Sequence, residues 1–231
     1  MKHADLTIRL TPREALLGWA YLGFELVLLP VILVQGNALL GFPLPEADLN
    51  FVYFAINYLA IFLIFRRVLA ISSERIWKRS GNFFLTAALG FGFWFLCNLA
   101  FGWLIPLLDP GFVNANDQSI AQMARGSFSL LILGTVFLVP MVEECLYRGL
   151  VFGSLYSRSR PAAYAVSAAV FSLIHVVGYL GSLSPLAAVL SFLQYLPAGL
   201  CLAWSYARTG TIFAPILIHA LVNAYGIYSM R

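Results

Sequence analysis

The sequence predicts an all-α, polytopic transmembrane helix bundle of about seven spans, with a four-helix functional core in its C-terminal half. Two observations carry this. Of 231 residues, 61% are hydrophobic and only 10% charged, with a mean hydropathy of +0.86, whereas a soluble domain carries about 25% charged residues. Apolar runs long enough to cross a ~30 Å hydrocarbon core, which takes about 20 helical residues, recur along the whole chain.

The first run, near residues 14–34, follows Lys2, Arg9 and Arg13 and contains one acid, Glu25. Asp5 and Glu14 interrupt its basic flank, and no small-residue cleavage site follows, so it reads as a retained span rather than a cleavable signal peptide. A lone intramembrane carboxylate such as Glu25 pairs with a core polar group, is protonated, or meets water. The second and third runs, near 50–71 and 82–105, are rich in Phe, Leu, Tyr and Trp. No internal repeat marks duplicated transporter halves. The polar stretch from Leu107 to Ser127 then divides the chain into a scaffold of about three spans, residues 1–126, and a core of about four spans, residues 127–231. The core runs lie near 127–156, 161–179, 185–206 and 211–228.

Basic residues set the expected orientation, because short loops rich in Lys and Arg stay in the cytoplasm. Arg66, Arg67, Arg75, Lys78 and Arg79 follow the second run, and Arg158, Arg160 and Arg208 fall in later connections on the same side. The opposite loops, 35–49, 106–126 and 180–184, hold only Arg125. This predicts a multi-pass protein with a cytoplasmic N-terminus and an outer C-terminus, leaving only Arg125 and Arg231 outside. The formal charge of +4 then describes a rim that meets anionic headgroups of the bilayer, and no aromatic-interleaved basic stretch points to nucleic acid. Cys97, Cys145 and Cys201 fall inside spans without zinc or disulfide spacing and read as reduced, buried thiols.

Chemistry-bearing residues concentrate in the core. The fourth run carries Pro140-Met-Val-Glu143-Glu144-Cys-Leu-Tyr-Arg148-Gly149. At about 100° per residue, Glu144 and Arg148 share a helix face and Glu143 points elsewhere. Glu144 and Arg148 therefore read as a structural clamp, a buried pair that is costly to break by losing one member. Glu143, with no cation one turn later, reads as a general base that activates water. Pro140 removes a helix hydrogen bond and is expected to bend the span just before the acids.

The fifth run carries Phe171-Ser-Leu-Ile-His175 and the seventh Pro215-Ile-Leu-Ile-His219-Ala-Leu-Val-Asn223, each with four-residue spacing on one face. At 1.5 Å per residue, Glu143 and His175 lie ~21 Å from the cytoplasmic ends of their spans and His219 lies ~12–16 Å from its own, so the three can meet near mid-membrane. Each alone has a plain structural reading, since an intramembrane His or Asn commonly serves as a hydrogen bond between helices. Cys145 is a poor nucleophile, because an apolar, acidic setting suppresses the thiolate. Ser167 and Ser172 read as packing or backbone hydrogen-bond partners.

Together these residues resemble the CPBP group of intramembrane endopeptidases, which includes the type II CAAX prenyl proteases and bacterial bacteriocin-processing, abortive-infection-like and immunity proteins. The resemblance covers about residues 127–228 and all three signatures, Glu143-Glu144-x-x-x-Arg148, Phe171-x-x-x-His175 and His219-x-x-x-Asn223. It extends to Gly199-x-x-x-Ala203 and Tyr206-Ala-Arg-Thr209-Gly210, with Ala203 standing where Gly is usual. The resemblance implies a peptidase in which Glu143 takes a proton from water held with His175. The hydroxide attacks a peptide carbonyl, and His219 and Asn223 donate to the oxyanion. It implies a membrane peptide or protein substrate, such as a leader or a C-terminal sorting tag, and a bacterial inner-membrane location. The metal-free route is favoured, and the alternative chemistry is metal-assisted, with zinc or another divalent ion on Glu143, His175 and His219 and one position left for water. Two other functions stay open at this point: a proton- or cation-coupled transporter using the same ionisable groups, and a non-catalytic immunity or scaffold protein.

Overall fold

The computed structural model describes residues 7–229. Lys2, Asp5 and Arg231, on which parts of the topology and signal-peptide readings rest, lie outside the described residues. Within them the chain is helical and contains no strand. Six helices are long and apolar enough to cross a membrane: α1 (Pro12–Leu39), α2 (Glu46–Lys78), α3 (Ser80–Leu108), α5 (Phe128–Tyr156), α6 (Arg160–Val177) and α7 (Pro185–Thr209). A seventh apolar helix, α8 (Phe213–Ser229), stands where the last span is expected and has 17 residues. At 1.5 Å per residue it is ~25 Å long, just under the hydrocarbon thickness.

The remaining helix, α4 (Ala115–Gly126), forms inside a stretch expected to be a loop. Its local chemistry explains it. The Asn114 side chain accepts from the backbone N–H groups of Asn116 and Asp117, an acid sits in the first turn, and Arg125 sits in the last. Cap and charges thus satisfy both ends of the helix dipole.

Sequence punctuation sets the other boundaries. Thr11 and Glu14 form a reciprocal capping box at the start of α1, and Glu14 also pairs with Arg67 of α2 at 2.6 Å, tying the first two helices together. Ser159 and Ser184 cap α6 and α7, each followed by a helix whose first turn contains proline. Gly210, at φ 68°, ends α7 in the left-handed conformation, and its N–H donates to the Tyr206 carbonyl.

Three wide, π-helical stretches interrupt the spans: Phe24–Leu28 in α1, and Leu133–Leu138 and Cys145–Phe152 in α5. The second directly precedes Pro140, so the turn that must do without the proline N–H is already unwound. Such bulges re-aim side chains and occur frequently at functional sites.

The core sits where α5, α6, α7 and α8 meet the inner faces of α2 and α3. Gly199 lets α6 and α7 touch: a Cβ there would lie 2.8 Å from the Ala168 Cα. Large apolar side chains such as Phe62, Leu63, Trp103 and Leu107 are exposed on the outer faces, as expected where lipid is the solvent.

Candidate functional site

Arg148 and Glu144 are both fully buried in α5 and form an ion pair at 3.0 Å. The guanidinium reaches further, donating through Nη2 to the Gly199 carbonyl of α7 at 3.2 Å and lying 4.5 Å over the Phe171 ring of α6. One cation thereby holds three helices in register, a use that suits the flat, multi-donor guanidinium better than an ammonium.

The oxygen of Glu144 that receives Arg148 also receives His219. His219 Nδ1 lies 2.8 Å from Glu144 Oε1. A carboxylate oxygen that pairs with a guanidinium is an acceptor, so His219 carries a proton on Nδ1. Its other nitrogen, Nε2, faces Glu143 at 4.0 Å from Oε2. Glu144 therefore positions the ring of His219, as carboxylates do behind functional histidines.

His175 is oriented differently. Its Nδ1 sits 2.7 Å from the Phe171 carbonyl one turn earlier. A carbonyl only accepts, so the proton is on Nδ1 and Nε2 keeps a free lone pair. The ring stacks on Tyr195 with centroids 4.5 Å apart. Asn223, one turn after His219 on α8, donates from Nδ2 to the Thr135 carbonyl at 2.8 Å. That leaves its second N–H and its carbonyl oxygen for other partners.

Glu143, His175, His219 and Asn223 all line one cavity of about 410 Å³, whereas Glu144 and Arg148 lie behind its wall. The Oε2 of Glu143 is buried without a hydrogen-bond partner. Such an atom costs about 1–3 kcal/mol unless something polar meets it, so the cavity is built for water or a polar ligand. Ser167 and Ser172 donate to the carbonyls of Tyr147 and Ala168. Cys145 is fully buried, and all three cysteines are free thiols.

The zinc alternative meets the same geometry. Among the described residues no three His, Cys, Asp or Glu side chains are grouped to hold a metal ion. As arranged, Glu143, His175 and His219 are not grouped as a metal site.

Sequence spacing missed part of the cavity. Glu25 of α1, Asn57 of α2, and Trp94 and Asn98 of α3 line it, so the scaffold contributes polar groups as well as apolar walls. Asn114, Asn116 and Asp117 at the start of α4 line it too, next to Gln194 and Tyr195 of α7. Four of these five are linked through their side chains: Asn114 donates to Gln194 at 2.9 Å, Asn116 to the Tyr195 hydroxyl at 3.1 Å, and that hydroxyl to Asn114 Oδ1 at 3.3 Å. Burial pushes the carboxyl of the fifth, Asp117, up to about 6. The available signal was polarity inside apolar runs, Asn57 and Asn98 above all, but no spacing rule connects residues on different helices.

Residues 125–225 match the family described as type II CAAX prenyl endopeptidase, Rce1-like. The chain is 28% identical over 111 residues to "Putative membrane peptidase YdiL" of Bacillus subtilis (strain 168), covering 48% of this chain and 41% of that protein. It is 30% identical over 95 residues to "UPF0177 protein YxdF" of Lactococcus lactis subsp. lactis (strain IL1403), covering 41% of this chain and 46% of that protein. The chain thus spans less than half the length of these curated relatives. No solved structure gives a significant match. Glu143, Glu144, Arg148, His175, His219 and Asn223 all fall within residues 125–225, the stretch of this multi-pass membrane protein that is similar to the type II CAAX prenyl endopeptidases.

Proposed function

We propose that this protein is an intramembrane endopeptidase that hydrolyses a peptide bond of a membrane-associated peptide or protein tail, using water activated by Glu143. One observation carries the reading: Glu143, His175, His219 and Asn223, from three helices, face a single cavity in which the Glu143 carboxylate has a buried oxygen without a hydrogen-bond partner. The Rce1-like match supports the peptidase class, and a cavity of about 410 Å³ falls within the range of sites that enclose small ligands.

In the proposed reaction, water donates one hydrogen to Glu143 and the other to His175 Nε2, which holds its lone pair toward the attacking oxygen. Glu143 takes the proton as hydroxide adds to the scissile carbonyl. The developing oxyanion is met by the free N–H of Asn223 and by His219 Nε2. Because His219 Nδ1–H already donates to Glu144, donation from Nε2 requires the imidazolium. The carbonyl contacts of His175 and Asn223 hold both side chains before substrate arrives, and such preorganisation makes an oxyanion donor effective.

The four C-terminal helices, residues 127–231, form the catalytic core, and residues 1–126 form a scaffold that closes the cavity. The protein sits in the cell inner membrane with its N-terminus in the cytoplasm. The test is reconstitution of purified protein with candidate membrane peptides, comparing wild type with Glu143→Ala, His175→Ala and His219→Ala, with and without a chelator. The expected result is cleavage that every substitution abolishes and chelation spares. Cleavage surviving Glu143→Ala would sink the mechanism. Proton flux lost in the same variants, without cleavage, would replace the reading with transport.

A further inference from the structure

Among the described residues, Glu25 is the one acid of the membrane interior that the proposed mechanism leaves unused. It sits in the π-helical stretch Phe24–Leu28 of α1, is 4% exposed, and lines the same cavity as Glu143. Three buried polar atoms of described residues on that cavity have no hydrogen-bond partner: Glu25 Oε2, Asn57 Nδ2 and Glu143 Oε2. An orphaned buried polar atom is costly, and three around one space mark a surface built to meet polar contents. The Tyr21 hydroxyl donates to Asn57 Oδ1 at 2.7 Å, which fixes that amide with its Nδ2 on the side of the Tyr53 hydroxyl but outside hydrogen-bond geometry.

Among the described residues no cation faces Glu25. Its titratable neighbours are Tyr21, Tyr53, Tyr147 and Glu143, and the Tyr53 hydroxyl donates to the Glu25 backbone carbonyl rather than to the carboxylate. Glu25 and Glu143 line the same cavity. Two carboxyl groups that face one enclosed space, each with a buried oxygen lacking a hydrogen-bond partner, supply the pair of sites that an acid and a base need on either side of a scissile bond. Amide hydrolysis needs that pairing, because the base that activates water does nothing for the nitrogen that must leave.

We infer that Glu25 is a second catalytic residue, the acid that protonates the departing amine while Glu143 deprotonates the water. This rests on the endopeptidase reading above. In the first step a water O–H bond breaks, its proton passes to Glu143 and its oxygen bonds to the carbonyl carbon. In the second, the oxyanion reforms the carbonyl, the C–N bond breaks and the nitrogen takes the Glu25 proton. The proton on Glu143 then returns to Glu25, and the sum is peptide plus water giving a carboxylic acid and an amine. Asn57 Nδ2 steadies the Glu25 side of the cavity as a donor to the substrate backbone.

The test compares one substrate peptide with its thioester analogue at the scissile bond, since a thiolate leaves without help from an acid. Wild type, Glu25→Gln and Glu143→Gln are assayed on both, with thermal unfolding in detergent as the check on folding. Glu25→Gln is expected to lower kcat on the amide by about 10²–10⁴-fold and on the thioester by less than about 10-fold. Glu143→Gln is expected to lower both. Equal loss on amide and thioester, or amide cleavage by Glu25→Gln within about threefold of wild type, overturns the role of Glu25. If Glu25→Gln does not fold, Glu25→Asp keeps an acid on a shorter arm, and the same amide-to-thioester ratio decides. Wild-type cleavage abolished by Glu143→Gln establishes the endopeptidase reading independently of Glu25. Wild type that cleaves neither substrate overturns both.

Discussion

His219 Nδ1 lies 2.8 Å from Glu144 Oε1, the same oxygen that Arg148 approaches at 3.0 Å. The contact joins α8 to α5 across 75 residues of sequence and makes the buried ion pair part of the support of a candidate oxyanion donor. A substitution at Glu144 should therefore register twice, in stability and in activity. Glu144→Gln keeps the shape but leaves Arg148 an uncompensated buried charge, at a cost of about 3–5 kcal/mol. It also replaces the charged acceptor of the His219 Nδ1–H with a neutral amide, which holds the ring less firmly. The expected outcome is a large fall in the denaturation midpoint in detergent and a loss of peptide cleavage of about tenfold or more in whatever fraction remains folded. Full stability together with full cleavage would show that neither contact matters.

Gly199 is where α6 and α7 approach most closely through a glycine. A Cβ added there meets the Ala168 α-carbon at 2.8 Å and its Cβ and carbonyl oxygen at 3.1 Å. Backbone atoms cannot rotate away, so Gly199→Ala must separate the helices and stretch the Arg148 Nη2 bond to the Gly199 carbonyl. Overpacking of this kind costs about 1–3 kcal/mol. Ala168→Gly in the same background removes the methyl group of residue 168 but leaves its backbone in the way, so it is expected to restore only part of the lost thermal stability. Complete rescue would place the strain elsewhere.

The helical bundle was legible because lipid leaves few options: runs of apolar residues separated by Gly, Pro, Ser and Arg have to become helices whose backbones satisfy themselves. The i, i+4 spacing was equally readable, since it is a property of one helix, and Glu144 with Arg148 or His219 with Asn223 fall on shared faces for that reason alone. Relations between helices were not readable. That His219 meets Glu144, that Asn223 donates to the Thr135 carbonyl, and that Glu25 and Asn57 line the cavity together with Glu143 depend on packing angles and on the π-helical turns of α1 and α5. No residue pattern in the sequence announces such a turn. Helix α4 was hidden for another reason: its residues are polar, and a search for apolar runs passes over a helix held by its Asn114 cap.

Asp117 of α4 gives a pH-dependent prediction. Two effects oppose each other there. The helix N-terminus favours a charged carboxylate in the first turn, while burial disfavours it, and burial dominates, pushing the group up to about 6. A folded-state value above the ordinary 3.8 means that the stability associated with the neutral acid is present at low pH and is lost as pH rises through about 6. Asp117→Asn keeps a neutral side chain at every pH. The variant should match wild type near pH 4 and unfold at a higher temperature than wild type by a few degrees near pH 8, where 1 kcal/mol corresponds to roughly 2–4 °C for a chain of this size. A flat difference across that range would mean that the helix dipole or water compensates the charge.

Asn223 offers the cleanest separation of transition-state from ground-state effects. Its Nδ2 is already committed to the Thr135 carbonyl at 2.8 Å, so the side chain is held in place and only its second N–H is free to meet the substrate. Removing a preorganised oxyanion donor costs about 10²–10³ in kcat, because the bond strengthens only as charge develops on the carbonyl oxygen. Asn223→Ala should therefore lower kcat by that factor with KM little changed, and lower stability by about 1 kcal/mol through the lost hydrogen bond to Thr135. Asn223→Asp is the sharper variant. It preserves the size of the side chain but turns a donor into a carboxylate facing a carbonyl and a developing oxyanion, both of which repel it, so its kcat should fall at least as far as that of Asn223→Ala. A rise in KM with kcat unchanged in both variants would move Asn223 from the reaction to substrate binding, since uniform binding raises KM alone when it is removed.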